Sequence, residues 1–83
     1  MVRHPHLGDE VVTTENVSSG GLCVRSIRRY RPETVVEVAF PYTPGGANIF
    51  VAARIVHANE VPGEKYRMYG LEYIPAEEAW RRT

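Results

Sequence analysis

A short polar segment beginning at Asn16 carries the residues of this sequence best suited to contacting a ligand. Asn16 and Ser18 are followed by the pair Gly20-Gly21 and then by an apolar run from Leu22. Amide and hydroxyl side chains hydrogen-bond nearby backbone groups or polar ligands, and they favour turns. Glycine lets a second backbone or a ligand approach closely. The spacing therefore predicts a sharp polar turn over residues 16–21 that either satisfies its own backbone or forms the edge of a ligand site.

Length and composition limit the classes of protein that this chain can represent. Its 83 residues predict one domain, 1–83, and 43% hydrophobic content is too high for a disordered chain. Net charge is zero, so no global field attracts nucleic acid or an anionic membrane. The single cysteine, Cys23, excludes an internal disulfide and fits a reducing compartment. No apolar run approaches the roughly 20 residues of a membrane helix, and no secretory signal is present, so we expect a cytoplasmic protein.

Alternating β-branched and apolar residues separated by turn signals predict an all-β fold. Pro44-Gly45-Gly46 and Pro62-Gly63 are turn signals, and Gly70 inside the last strand indicates a bulge or a close backbone approach. Residues 1–9 have no periodicity and are predicted to be a loose lead-in. Residues 75–83 have a proline and acidic residues first and arginines last, which favours a short C-terminal helix. The predicted strands are 10–15, 22–27, 34–41, 49–57 and 65–74, with 49–57 largely buried, which favours a small antiparallel barrel or sandwich.

Most of the remaining polar and aromatic residues are better explained by structural roles than by chemistry. His4 and His6 have metal-ligand chemistry, but no further His or Cys stands near them, so no metal site is predicted. Ser18 has no nearby histidine, and the carboxylates form no evident pair, so we do not expect an enzyme. The basic segment 25–31, with Tyr30 as a stacking residue, is a candidate nucleic-acid surface. A solvated basic loop balanced by Glu33 and Glu37 is the alternative.

Several of these segments together resemble PilZ domains, small β-barrels that bind the bacterial second messenger cyclic di-GMP. The family signature Asn-x-Ser-x-x-Gly is matched by Asn16, Ser18 and Gly21. The strand ending in Phe40-Pro41, the Ala-Arg-Ile-Val segment of the long strand, and the closing segment 69–73 follow in the family's order. The resemblance implies a split-barrel fold with a C-terminal helix. It also implies that Asn16, Ser18 and Gly21 form part of a cyclic di-GMP site.

One family signature is missing from its usual place. PilZ domains carry Arg-x-x-x-Arg before the first strand, and those arginines contact phosphate and stack on guanine. Here Arg3 is the only arginine before residue 25, and the position four later is Leu7. Arg3 is therefore the one candidate for a phosphate contact in this segment. The chain is either a shortened or rearranged PilZ domain, or a degenerate one that does not bind the nucleotide in the usual way.

The residues and the resemblance lead to three alternative functions. The first is a bacterial, cytoplasmic signalling domain that binds cyclic di-GMP and relays the signal to a partner, without any other cofactor. The second is a PilZ-like adaptor that contacts proteins or a second copy of itself through an unpaired strand edge. The third is a small nucleic-acid-binding barrel that uses residues 25–31.

Overall fold

The chain forms one antiparallel sheet of seven strands in the computed structural model, which describes residues 1–75. Every neighbouring pair of strands in the sheet is antiparallel. The order across the sheet is β2-β1-β5-β6-β7-β4-β3. The strands are β1 (Val2–His4), β2 (Gly8–Glu10), β3 (Thr13–Ser18), β4 (Gly21–Ser26), β5 (Val35–Val38), β6 (Val51–Glu60) and β7 (Arg67–Tyr73). The all-β prediction is confirmed.

The sheet curls into a half-barrel because its two outermost strands are neighbours in sequence. Strands β2 and β3 lie at opposite ends of the sheet order, yet only Val11 and Val12 separate them. The concave side holds one apolar core drawn from both ends of the chain. Its buried members are Val2, Leu22, Val24, Tyr30, Val36, Val38, Ala53, Ile55, Tyr69 and Leu71. The opposite, convex side carries both polar and apolar side chains, including the exposed Val35 opposite Arg54.

Period-two alternation assigns the two faces of the central strands. In β4, Leu22 and Val24 point into the core, and in β7 Tyr69 and Leu71 do the same. The residues between them, Cys23 in β4 and Gly70 in β7, therefore lie on the convex face. This alternation is what places the signature residues of the polar segment on an exposed surface.

The N-terminal residues are ordered, so the prediction of a loose lead-in over 1–9 was wrong. They form the hairpin of β1 and β2, and β1 also pairs with β5. The His4 imidazole closes the turn, since its Nδ1 accepts the backbone N–H groups of His6 and Leu7 at 3.0 Å. Gly8 follows with a φ of 80°. Three-residue strands are too short to produce a visible period in sequence, which explains the error.

Other predicted boundaries also need correction. The predicted strand 10–15 straddles the break between β2 and β3, so the sheet has seven strands rather than five. The predicted strand 49–57 begins only at Val51 and continues to Glu60, and its apolar start is not buried: Ile49 is 83% exposed. The turn predicted over residues 16–21 is shorter, because β3 continues to Ser18. The predicted C-terminal helix, apart from Pro75, lies outside the described residues.

A buried polar cluster fastens the N-terminal hairpin to β4. The Glu10 carboxylate accepts hydrogen bonds from Ser26 Oγ at 2.7 and 2.8 Å and from Tyr30 Oη at 2.8 Å. Tyr69 Oη accepts the Tyr30 backbone N–H and donates to the Arg28 carbonyl at 2.6 Å. Each buried hydroxyl therefore has a partner, which removes the penalty of burying it. We call Glu10, Ser26, Tyr30 and Tyr69 the Glu10 cluster.

Candidate ligand-binding groove

Strand register brings the signature residues together with residues from two distant strands on the convex face. Residues directly opposite each other on paired strands point to the same side of a sheet. One row across β3, β4, β7 and β6 is therefore made of Ser18, Gly21, Glu72 and Arg54. The neighbouring row in the same four strands is made of Asn16, Cys23, Gly70 and His57. Asn16, Ser18 and Gly21 thus share one surface, as the spacing of the motif suggests.

A β-bulge in β6 sets the position of His57. The register shifts between Ile55 and His57, so Val56 is the extra residue opposite β7. The His57 ring then lies over Gly70, where an added Cβ would meet its Cε1 at only 2.3 Å. A bulge or a close backbone approach was predicted at Gly70; the register does shift in β6 opposite this glycine, but the group that lies over it is the His57 side chain and not a backbone. No side chain larger than hydrogen fits beneath that ring in its present position.

These rows line an open groove of about 690 Å³. Its floor is free of side chains at Gly21, whereas the His57 ring covers Gly70 in the adjacent strand. An added Cβ at Gly21 would lie 2.0 Å from the Leu71 carbonyl oxygen, so β4 and β7 approach closely there. Asn16 and Ser18 stand on one side of the floor, and Val56 and His57 on the other. The remaining lining residues are Val17, Gly20, Leu22, Cys23, Leu71, Glu72, Tyr73 and Pro75.

Polar groups in the groove are largely available to a ligand. Within residues 1–75, the side chains of Asn16 and Glu72 have no hydrogen-bonding or ion-pair partner. Ser18 Oγ makes a long contact of 3.4 Å to the Gly21 carbonyl oxygen, which is the local backbone bond expected of a turn residue. Burial raises the pKa of the Cys23 thiol, so this group stays protonated and unreactive at neutral pH.

The acidic and basic side chains among the described lining residues give the groove a negative charge. Among the described residues that line it, Glu72 is the single Asp, Glu, Lys or Arg. Arg54 lies directly across from Glu72 in the β6–β7 register, with its Nε 3.8 Å from the Glu33 carboxylate. Arg25 lies further along the convex face, where it contacts Glu15 and the Tyr66 ring. Neither His57 nor Glu72 was predicted as a site residue.

Arg3 lies apart from this groove. It sits in β1, three places from β7 in the sheet order, and its guanidinium donates to both Asp9 carboxylate oxygens at 2.9 and 3.2 Å. The same guanidinium lies 4.0 Å from the centre of the Phe50 ring. These contacts hold the pKa of Asp9 below its ordinary value, mainly through the Arg3 hydrogen bond. The structure thus does not bring Arg3 together with Asn16, Ser18 and Gly21.

The basic segment 25–31 does not form a stacking surface. Tyr30 is buried in the core and makes an edge-on ring contact with Tyr69, so no base can reach it. Arg28 donates to the backbone carbonyls of Gly8 and Asp9. Arg29 pairs with Glu60 at 3.5 Å. The nucleic-acid alternative therefore loses its aromatic residue.

The fold and the groove define a small all-β domain in which a curled sheet presents polar motif residues on its convex face. A family model described as PilZ domain matches residues 3–83, so the chain belongs to the PilZ domain family. PilZ domains are a non-enzymatic, receptor-type family of cyclic di-GMP signalling. Comparison with curated proteins and with solved structures gave no match.

Residues 1–75 contain no cluster of three or more His, Cys, Asp or Glu side chains placed to hold a metal ion. They also contain no helix that is long and apolar enough to cross a membrane.

Proposed function

We propose that this domain binds cyclic di-GMP in the groove on its convex face and relays the signal to a protein partner. The observation that carries the proposal is the joint placement of Asn16, Ser18 and Gly21 along one open groove in a PilZ-family chain. The Asn16 amide and the Ser18 hydroxyl supply hydrogen bonds to a base edge or ribose. Gly21 keeps the floor between them free of side-chain atoms.

The affinity for cyclic di-GMP depends mainly on how its two phosphate charges are neutralised. Cyclic di-GMP carries two phosphate charges, whereas a neutral hydrogen bond contributes only about 0.5–1.5 kcal/mol net. Arginine is the residue best suited to phosphate, because its planar fork donates two parallel hydrogen bonds. Arg54 is the arginine closest to the groove in strand register. We therefore expect Asn16 and Ser18 to set the position of the ligand, and cations at the border of the groove to supply most of the affinity.

Calorimetric titration tests the site directly. The wild-type domain is titrated with cyclic di-GMP, and with cyclic di-AMP as the control ligand. The Asn16→Ala, Ser18→Ala double variant is compared with a matched Ser19→Ala, Asn59→Ala variant. Ser19 and Asn59 are exposed and do not line the groove. We expect saturable, guanine-selective binding that the groove variant weakens about tenfold or more and the matched variant leaves unchanged, because two hydrogen bonds are lost.

Two results would contradict the proposal. Absence of saturable binding by the wild-type domain would reject cyclic di-GMP as its ligand. Equal affinities of the wild type and the Asn16→Ala, Ser18→Ala variant would reject the groove as the site. Circular dichroism melting of each variant separates lost binding from lost folding.

Self-association is a second candidate function, and the free edge of β3 favours it. Strand β3 has six residues and lies at one end of the sheet order, paired with β4 alone in the described part of the chain. Unpaired backbone groups of an edge strand can accept a further strand from a second copy. The β-bulge between Thr14 and Asn16 limits this pairing to a short stretch.

Light scattering after size-exclusion chromatography tests the second candidate across a concentration series. Val17 lies in β3 and is 45% exposed, whereas Ile27 is 73% exposed and lies outside the strands. Val17→Lys is expected to abolish a dimer formed through β3, since an edge lysine opposes strand addition. Ile27→Lys is the matched control and leaves such a dimer intact. A wild-type domain that stays monomeric at every concentration would reject this candidate.

A further inference from the structure

Glu72 presents a carboxylate in a groove proposed for a ligand with two negative charges. Two like charges a few ångströms apart repel each other, and more strongly at a protein surface than in bulk water. Glu72 therefore disfavours a phosphate group on its Gly21 side, away from Arg54, which is opposite Glu72 in β6. The part of the ligand that lies next to this carboxylate must instead carry hydrogen-bond donors.

The surroundings of Glu72 leave room for a planar group. Glu72 is opposite Gly21, which in turn is opposite Ser18, so no side chain stands between Ser18 and Glu72 in their row. Two strand spacings separate these residues, about 9.5 Å. The Glu72 side chain is exposed and has no hydrogen-bonding or ion-pair partner within residues 1–75. Its two oxygens are thus open to a ligand that lies over Gly21.

His57 adds a ring on the adjacent row. The imidazole lies over Gly70, one row from Glu72, and is itself exposed toward the groove. Aromatic rings stack on nucleobases, because every base has a flat face. Glu72 can accept hydrogen bonds from the edge of a base, and the His57 ring can pack against the face of that base. The two side chains together suit a flat heterocycle.

Guanine is the base that fits a carboxylate acceptor. Its N1–H and its exocyclic N2 amine are adjacent donors, so both carboxylate oxygens can accept from one guanine edge. Adenine offers an acceptor at N1 beside its N6 amine and leaves one carboxylate oxygen facing a lone pair. We propose that Glu72 is the residue that selects guanine over adenine in this groove, with His57 packing against the base. This inference rests on the proposed binding of cyclic di-GMP.

The Glu72→Gln variant tests the inference with cyclic di-GMP and cyclic di-AMP as probes. An amide presents an N–H group to a guanine donor, so we expect cyclic di-GMP affinity to fall about tenfold or more. Cyclic di-AMP affinity is expected to stay unchanged or rise, which removes most of the guanine preference. Glu64→Gln is the matched control, because Glu64 is exposed, lies outside the groove and carries the same charge.

Cyclic di-inosine monophosphate tests the contact between the Glu72 carboxylate and the N2 amine of guanine. Hypoxanthine keeps N1–H and lacks the N2 amine, so it removes one of the two proposed donors. We expect the wild type to bind it more weakly than cyclic di-GMP, and Glu72→Gln to bind the two ligands with nearly equal affinity. Such non-additivity is the signature of a direct interaction.

Each outcome has a defined consequence. Wild-type binding of cyclic di-GMP with a guanine preference that Glu72→Gln retains would overturn the role of Glu72 and leave the proposed function standing. Equal wild-type affinity for the two dinucleotides would also overturn it. Failure of the wild type to bind cyclic di-GMP would overturn the proposed function and this inference together. Loss of the preference in Glu72→Gln alone supports the inference.

Discussion

Two glutamates on opposite sides of the same sheet are used in opposite ways. Glu10 lies at the end of β2 with its side chain 15% exposed, and its carboxylate accepts hydrogen bonds from the hydroxyls of Ser26 and Tyr30. Glu72 lies on the convex face in β7, exposed and without a partner in the described part of the chain. The first carboxylate joins strands that are distant in sequence, and the second is left open beside a floor made of glycine.

The contrast separates residues that stabilise this domain from residues that can bind. A buried polar group stabilises a fold only when its hydrogen bonds are made, because an unmade bond costs about 1–3 kcal/mol. An exposed polar group stays hydrated and loses nothing by lacking a protein partner. Substitutions in the Glu10 cluster should therefore change stability, and substitutions in the groove should change binding.

Removal of the Glu10 carboxylate is expected to have the largest effect on stability. Glu10→Ala leaves the hydroxyls of Ser26 and Tyr30 without their acceptor, and it removes the side-chain link between the N-terminal hairpin and β4. We expect a loss of about 4 kcal/mol in the free energy of unfolding, measured by urea denaturation. Glu10→Gln keeps one acceptor oxygen and is expected to lose about half as much. A loss below 1 kcal/mol for Glu10→Ala would show that the cluster is not a major source of stability.

Alkaline pH should weaken the same cluster. Burial, and then the hydrogen bond to Glu10, raise the pKa of Tyr30 to about 12, above its usual value of 10.0. The folded state holds the Tyr30 proton more tightly than the unfolded state, so the neutral hydroxyl stabilises the fold. This contribution to the free energy of unfolding is about 3 kcal/mol; it is complete below pH 10 and is lost as the pH rises toward 12. The measurement is urea denaturation between pH 9 and pH 12. Tyr30→Phe should show a smaller pH dependence in this window, and an equal dependence would contradict the assignment.

The groove floor is the one place where a binding-site substitution should also affect the fold. Gly21→Ala puts a methyl group against the backbone of β7, since the added Cβ would lie 2.0 Å from the Leu71 carbonyl oxygen. The two strands must move apart, and we expect a loss of about 2 kcal/mol. Gly20→Ala is the matched control, because its Cβ meets no atom within 4 Å. Equal melting temperatures for the two variants would show that β4 and β7 separate easily.

Glu72→Gln is expected to have the smallest effect on stability. The side chain is exposed and no described group depends on it, so the free energy of unfolding should change by less than about 0.5 kcal/mol. Thermal melting of Glu72→Gln and of Glu10→Gln compares the two carboxylates, because the same chemical change is made at an exposed and at a partly buried position. A large loss for Glu72→Gln would mean that Glu72 supports the sheet rather than a ligand.

The sequence predicted the parts of the groove that are local in the chain. Asn16, Ser18 and Gly21 belong to one hairpin, so their spacing alone was enough to place them side by side. Gly70 also gave a usable signal, because glycine within a strand indicates a close approach. That signal did not identify the approaching group.

The rest of the groove depends on pairings that spacing cannot reveal. His57 reaches the floor only because the bulge at Val56 changes the register of β6 against β7. Glu72 meets Gly21 only because β4 pairs with β7 in one particular register. The isolation of Arg3 has a similar origin, since the short β1–β2 hairpin places it opposite Asp9. A slip of one residue in any of these pairs would turn these side chains to the other face.

The pairing of β4 with β7 also bears on how the domain assembles. It joins Ser26 to Arg67, which are 41 positions apart (67 minus 26), whereas the β3–β4 hairpin joins Ser18 to Gly21. Contacts between residues far apart in sequence form slowly, because the intervening chain must first be ordered. Asn16 and Ser18 can adopt their local geometry within the β3–β4 hairpin, early in folding. The surface that joins them to Glu72 and His57 arises only when the half-barrel closes, so the groove is a late product of folding.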